Sequence, residues 1–314
     1  MNENFFLNVL EVTVPVFAMV ILGALLKKFR LINSDFVTVA SQLVYKATMP
    51  TLLFLTMATA ELQFQLYSEL ILWFCIGTIM TMLACWLFSH KRINKYQQGV
   101  FIQAGFRSNC GIIGLAFASS LYGDLGLQLG GMLAGVSTIL YNILSPIVFY
   151  TCSDSYKPNF KKLVKSIVLN PLNIGIILGV FVSVLEIKIP YVVLESGKKF
   201  ASLSLPLALI CIGASLSIDA FKTSRTVTFY AVLVKLILSP LILISALLYL
   251  GIRGQDLGVL FLFFASPTAS ASYIFAVMSG SDGKLAANII VVSTIVSIPT
   301  IMIGLYVLYS NHLI

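Results

Sequence analysis

The sequence predicts an all-α integral membrane protein: ten transmembrane helices in two inverted five-helix repeats, with broken crossover helices 4 and 9. Three observations carry that reading. Of 314 residues, 59% are apolar and only 10% are charged, against roughly 25% charged in a soluble domain. That leaves too little polar surface to cover a globule in water, so the solvent for most of the chain must be lipid. Ten apolar runs approach or exceed the roughly 20 residues that cross ~30 Å of hydrocarbon. Finally, short motifs of the first half return 156 residues later in the second.

In chain order the runs are Phe5–Lys27, Asp35–Thr59, Leu66–Ser89, Gln97–Leu121, Leu127–Thr151, Val164–Leu185, Val192–Leu216, Thr223–Tyr249, Asp256–Ser279 and Leu285–Tyr309. The first has no basic residue before Lys27. A cleavable signal peptide wants a basic start, so this run is expected to be a true first span. Loops after the odd-numbered spans hold Lys27, Lys28, Arg30, Lys91, Arg92, Lys95, Lys157, Lys161, Lys162, Lys165, Lys222, Arg225 and Lys284, which is 13 basic residues. The opposite side holds 4: Lys188, Lys198, Lys199 and Arg253. By the positive-inside rule both termini lie outside the cytoplasm, in a multi-pass protein of the inner (plasma) membrane. The same distribution, short basic loops between long apolar runs, sets aside nucleic acid as the partner of the +8 net charge.

The repeat is visible in four places. Pro15 and Gly23 of span 1 return as Pro171 and Gly179 of span 6, and both segments end Ile-Leu-Gly. Pro50 of span 2 returns as Pro206 of span 7, and Val136-Ser137-Thr138-Ile139 of span 5 as Val292-Ser293-Thr294-Ile295 of span 10. Five spans is an odd number, so the second copy (residues 153–314) enters the membrane from the side opposite to the first (residues 1–152). Inverted repeats are characteristic of secondary transporters, whose sites lie mid-membrane where helices break.

The same offset shows where to look. Arg107-Ser108-Asn109-Cys110-Gly111 falls near the middle of span 4, and Cys110 and Gly111 map onto Ser266 and Pro267 of span 9, within Ala265-Ser266-Pro267-Thr268-Ala269-Ser270. Pro267 removes a backbone donor and crowds the preceding turn. The freed backbone groups need partners that lipid cannot supply. Two such breaks meeting at the centre would turn half-helix N-termini, which carry partial positive charge, towards a shared cavity suited to an anion.

Charges inside the spans point the same way. A charge mid-span costs roughly 2.5–3.5 kcal/mol on insertion scales. Arg107, Lys235 and Lys46 fall well inside spans, and Glu11 is the acidic residue set beyond a first turn; Asp35, Glu69, Glu195 and Asp256 sit in the first turn of theirs. The interior is therefore net positive. Arg107 offers a planar fork that fits a carboxylate, and Lys235 a point charge. Asn109 can fix a carboxylate or water, or cap the second half of span 4. Lys46 reads as snorkelling, Glu11 as an outer-leaflet residue, and Ser137, Thr138, Ser293 and Thr294 as helix-packing groups with a secondary claim on substrate or a coupling ion.

Phe106 to Leu115 (Phe-Arg-Ser-Asn-Cys-Gly-Ile-Ile-Gly-Leu), Ser266-Pro267-Thr268-Ala269 and Lys235-Leu236-Ile237-Leu238-Ser239-Pro240 resemble spans 4, 9 and 8 of the auxin efflux carrier family, which includes plant auxin carriers and bacterial malate and malonate permeases. The resemblance covers essentially the whole chain. It implies a scaffold of spans 1, 2, 6 and 7, a moving transport domain of spans 3–5 and 8–10, and helices broken at Asn109–Gly111 and Ser266–Thr268. It also implies an organic anion substrate and a homodimer formed through the scaffold. One departure is that Ala116 follows Gly114-Leu115 where family members often carry proline, so asparagine and glycine must break span 4. The short loop after span 5 points to the bacterial permease type.

The expected function is therefore carriage of a small carboxylate such as malate or another dicarboxylate. The competing reading is cation-coupled symport of a bulkier anion, as in the distantly similar bile acid symporters. The break regions offer hydroxyls and an amide but no carboxylate for sodium. An enzyme would need clustered carboxylates, His or Cys. The acidic residues are scattered in loops, and His90 and His312 sit in a loop and the C-terminal tail. Cys75, Cys85, Cys110, Cys152 and Cys211 form no CxxC pair and read as small packing residues. No cofactor or metal is expected.

Overall fold

A computed structural model of the chain describes residues 3–59, 64–152, 161, 164, 165, 168–215 and 225–314. Lys157, Lys162 and Lys222, counted above among the basic loop residues, lie outside the described residues. Among the described residues the chain is all helical, apart from one isolated antiparallel bridge between Ser108 and Thr268.

The first half begins with α1 (Glu3–Lys28). Asn33 accepts from Phe36 N and starts α2 (Ser34–Leu43), as an N-cap asparagine does. The helix widens into a π turn at Val44–Thr48 and continues as α3 (Met49–Ala58). The cause is Pro50, which brings no N–H to the ladder; Met49 N reaches back five residues to Val44 O instead. After α4 (Phe64–Ser89), Asn94 caps α5 (Lys95–Phe106) by accepting from Gln97 N. The chain is extended at Arg107, recoils in a π turn at Cys110–Gly114, and runs on as α6 (Leu115–Cys152).

The second half holds α7 (Pro171–Val184), α8 (Tyr191–Ala201), α9 (Ser204–Ser215) and α10 (Arg225–Leu233). A π turn at Val234–Leu238 leads into α11 (Ser239–Tyr249), again just before a proline, Pro240. Then come α12 (Gly254–Ala265), a non-helical stretch, α13 (Ala271–Met278) and α14 (Gly283–Ser310), the last capped by Asp282 accepting from Leu285 N.

Six helices are long and apolar enough to cross a membrane among the described residues: Val9–Lys28, Ser68–Ser89, Cys110–Cys152, Tyr191–Ser215, Arg225–Tyr249 and Gly283–Ser310. Pro171–Val184 and Gly254–Ala265 are shorter apolar helices. Cys110–Cys152, at 43 residues, is about twice as long as one crossing requires. It turns sharply at Gly123, whose φ of 58° and ψ of −134° suit a residue without a side chain.

Two helix pairs pack backbone to backbone. Gly23 of α1 lies against the carbonyl of Ile210 in α9, and Gly179 of α7 against the carbonyl of Phe54 in α3. Small residues at membrane helix contacts allow such approach. Elsewhere the interior is filled by large apolar groups. Phe74, Phe101, Phe117, Phe149 and Phe263 are fully buried, and Phe74 packs against Tyr141, Phe263 and Phe264 with ring centroids 6.3, 6.0 and 5.6 Å away. Of these rings, Tyr141 reaches Ser108 N and Cys110 Sγ through its hydroxyl, and Phe264 stands one residue before the end of α12.

Candidate functional site

The two interruptions meet. Asn109 N donates to Pro267 O at 2.7 Å and Ala269 N to Arg107 O at 3.0 Å, around the Ser108–Thr268 bridge. Main-chain groups that helix breakage would orphan are thus paired across the break, as a lipid-embedded chain requires. Side chains reinforce the crossing. Thr268 Oγ1 donates to Ala104 O at 3.1 Å, Thr268 N to Ser293 Oγ at 3.2 Å, and Ser266 Oγ back to Leu262 O at 2.7 Å.

The break in the first half starts two residues earlier than expected. Arg107, Ser108 and Asn109 leave the helix, while Cys110 and Gly111 already belong to the next turn. The reason is that partners for an extended strand exist at Thr268 and Ala269, so pairing, rather than glycine flexibility, fixes where α5 ends. Asn109 occupies the cap position of the second half-helix, but its side chain makes no capping bond. The capping role expected of it is corrected accordingly.

Residues 107 and 108 are extended, so their side chains point to opposite faces. Lys235 Nζ donates to Ser108 Oγ and, at 3.0 Å, to Phe264 O. Phe264 O is among the last carbonyls of α12, where a helix carries partial negative charge. Arg107 turns the other way, towards α6. Its Nη1 donates to Tyr141 O at 3.1 Å and Ser145 Oγ at 2.9 Å, and the guanidinium lies 5.6 Å from the Tyr141 ring and 4.7 Å from the Phe275 ring. Lys235 is 1% exposed and Arg107 6%. The described contacts of both cations are with neutral groups. Cys110 Sγ lies 3.3 Å from Tyr141 OH, which also accepts from Ser108 N at 3.3 Å.

Space is available at one point. A side chain placed on Gly111 would meet nothing within 4 Å. The helix opens beside that room with Cys110, Gly111 and Ile112, and the first amides of a helix have no partner within it, whereas Ile113 N and Gly114 N already bond Asn109 O.

The remaining expected residues divide. Ser266, Pro267 and Thr268 are at the crossing, whereas Ser270 is exposed at the start of α13. Ser293 reaches the crossing through Thr268 N, and Ser137, 156 residues before it, instead bonds Ala134 O at 2.8 Å within its own helix. Thr138 and Thr294 likewise bond Ala134 O and Ile290 O. Glu11 and Lys46 are exposed and form no hydrogen bond to the crossing. Reasoning from the sequence missed Tyr141, Ser145 and Gln103. Their spacings, Tyr141 four before Ser145 and Gln103 four before Arg107, are in the sequence but carry weight only once α5 is seen to lie on α6. The five cysteines are unpaired thiols.

A family model described as membrane transport protein matches residues 8–305. An uncharacterised transporter of Methanocaldococcus jannaschii is 24% identical over 315 residues, covering 95% of this chain and 98% of the relative. An uncharacterised transporter of Methanothermobacter thermautotrophicus is 21% identical over 296 residues, covering 93% and 96%.

Proposed function

The chain belongs to this membrane transport protein family, the auxin efflux carrier family, and from that membership we propose that it is a secondary transporter of a small organic anion, a carboxylate such as malate or another dicarboxylate. The observation that carries the substrate class is the pair of buried cations, Arg107 and Lys235, set on the two faces of one helix crossing with only neutral partners. A buried cation without a counter-charge is costly, and an anionic cargo would offset that cost. The room beside Gly111 and the half-helix N-terminus next to it suit a carboxylate oxygen.

The proposed architecture is ten crossings in two inverted repeats, residues 1–152 and 153–314. The interrupted pairs Lys95–Phe106 with Cys110 onward, and Gly254–Ala265 with Ala271–Met278, each form one crossing. Glycine packing supports the repeat: Gly23 meets Ile210 and Gly179 meets Phe54, and both the glycines and their partners are 156 residues apart. Under this reading spans 1, 2, 6 and 7 are a scaffold joining two protomers. Spans 3–5 and 8–10 carry the crossing across the membrane in an elevator movement, and both termini face away from the cytoplasm. Purified protein reconstituted in liposomes is expected to accumulate labelled malate or a related acid. Absence of uptake for every carboxylate tried, with the protein folded, rejects the substrate class.

A further inference from the structure

Gln103 is the least satisfied side chain near the crossing. It is 0% exposed, and neither its amide oxygen nor its amide nitrogen has a hydrogen-bond partner. Leaving a buried polar group unpaired costs roughly 1–3 kcal/mol, so a glutamine retained there needs a partner in some state of the protein. The packing of α5 on α6 locates it. A side chain on Gly99 would meet Phe149 and Cys152, and Arg107 bonds Tyr141 and Ser145. Residues 99, 103 and 107 are spaced i, i+4, i+8 on one helix face. Helical spacing thus puts Gln103 on the face of α5 that carries those two contacts with α6. A second group there is also unpaired: Arg107 Nε is buried without a partner although Nη1 is doubly bonded. A third, Ser272 Oγ, is buried and unpaired one turn before Phe275, whose ring covers the same guanidinium.

We propose that Gln103 is a specificity-determining residue: with Arg107 Nε it forms a buried donor pocket facing α6 that takes one carboxylate group of the cargo. The proposal rests on the carboxylate-transport reading and deepens it. The side-chain amide and Nε each offer an N–H, and together they match the two oxygens of a planar carboxylate. Lys235 is on the other face of residues 107–108. The pocket and Lys235 thus address two separated acidic groups, so the cargo is a dicarboxylate and not a monocarboxylate. In the present structure Arg107 Nη1 is engaged by Tyr141 O and Ser145 Oγ. Cargo binding would draw it from those carbonyl and hydroxyl acceptors.

The experiment compares wild type with Gln103→Leu and Gln103→Glu, using labelled malate and lactate in liposomes, with thermal unfolding of the same preparations in detergent. Wild type is expected to take up malate in preference to lactate. Gln103→Leu is expected to raise the half-saturating malate concentration about tenfold or more, the loss of one hydrogen bond to a charged group, with maximal rate nearly kept. Its ligand-free melting temperature should equal or exceed that of wild type, because an unpaired amide has been replaced by an apolar group. Gln103→Glu places a competing carboxylate beside Arg107 and should abolish uptake. Malate uptake in Gln103→Leu with wild-type half-saturation and unchanged preference over lactate overturns the proposal while leaving carboxylate transport standing. A folded wild type that moves neither acid overturns both. A fall in melting temperature of Gln103→Leu with wild-type half-saturation assigns the residue to packing and also overturns the proposal.

Discussion

Lys235 Nζ donates to the carbonyl of Phe264 at 3.0 Å, so the ammonium of one helix stands at the broken carbonyl end of another. A cation at a helix C-terminus is favoured by up to ~2 kcal/mol in buried geometries. That explains how a lysine 1% exposed is held in place without a carboxylate. Its second bond, to Ser108 Oγ, extends the restraint to the other interrupted helix.

Lys235→Met keeps the bulk and removes both bonds. Phe264 O and Ser108 Oγ are left buried, which costs about 1–3 kcal/mol. The expected outcome is a lower unfolding temperature in detergent and loss of uptake. A variant as stable and as active as wild type would show that the ammonium does not tie the two breaks together.

Arg107→Lys tests the fork. Charge is preserved, but a lysine cannot reach Tyr141 O and Ser145 Oγ while keeping a second edge for cargo. Uptake is expected to fall at least tenfold, about 1.4 kcal/mol, with expression close to normal. Wild-type transport by this variant would mean that charge alone suffices.

Gly111→Ala and Gly111→Val probe the room at the crossing. Because an added β-carbon meets nothing within 4 Å, both variants are expected to fold and elute from gel filtration like wild type. Uptake should decline with side-chain size, valine more than alanine. Equal uptake in all three proteins would place the cargo elsewhere.

Gly23→Ala and Gly179→Ala form a matched pair. Each places a methyl group against a backbone carbonyl, of Ile210 and Phe54 respectively. Overpacking of this kind costs about 1–3 kcal/mol. Both should lower the yield of folded protein to a similar extent. A severe loss at one site with none at the other would argue against equivalent roles for the two contacts.

Much of the crossing was legible in the sequence because its signals are local. Pro267 announces a break through chemistry of its own, and Arg107 and Lys235 stand out as charges in apolar runs. Three features were not legible. The break in the first half starts at Arg107, not Asn109, since its position depends on pairing with residues 160 positions further along the chain. The opposite facing of Arg107 and Lys235 follows from that extended pairing, which a helical reading of span 4 could not anticipate. Gln103 and Ser145 carry no unusual signal by themselves; they matter only once α5 lies on α6. Lys46, read from the sequence as snorkelling, shows how little the local pattern alone decides. It resembles Lys235 in preceding a proline within a π turn, yet it is exposed while Lys235 is buried, a difference set by which helices surround each.

The crossing is closed by main-chain atoms: Asn109 N to Pro267 O and Ala269 N to Arg107 O. Every residue but proline carries the same peptide N–H and C=O, so these two bonds by themselves specify no side chain. Substitution can therefore vary the side chains around the crossing while the junction keeps its shape, so one main-chain frame can present different chemistry in different descendants.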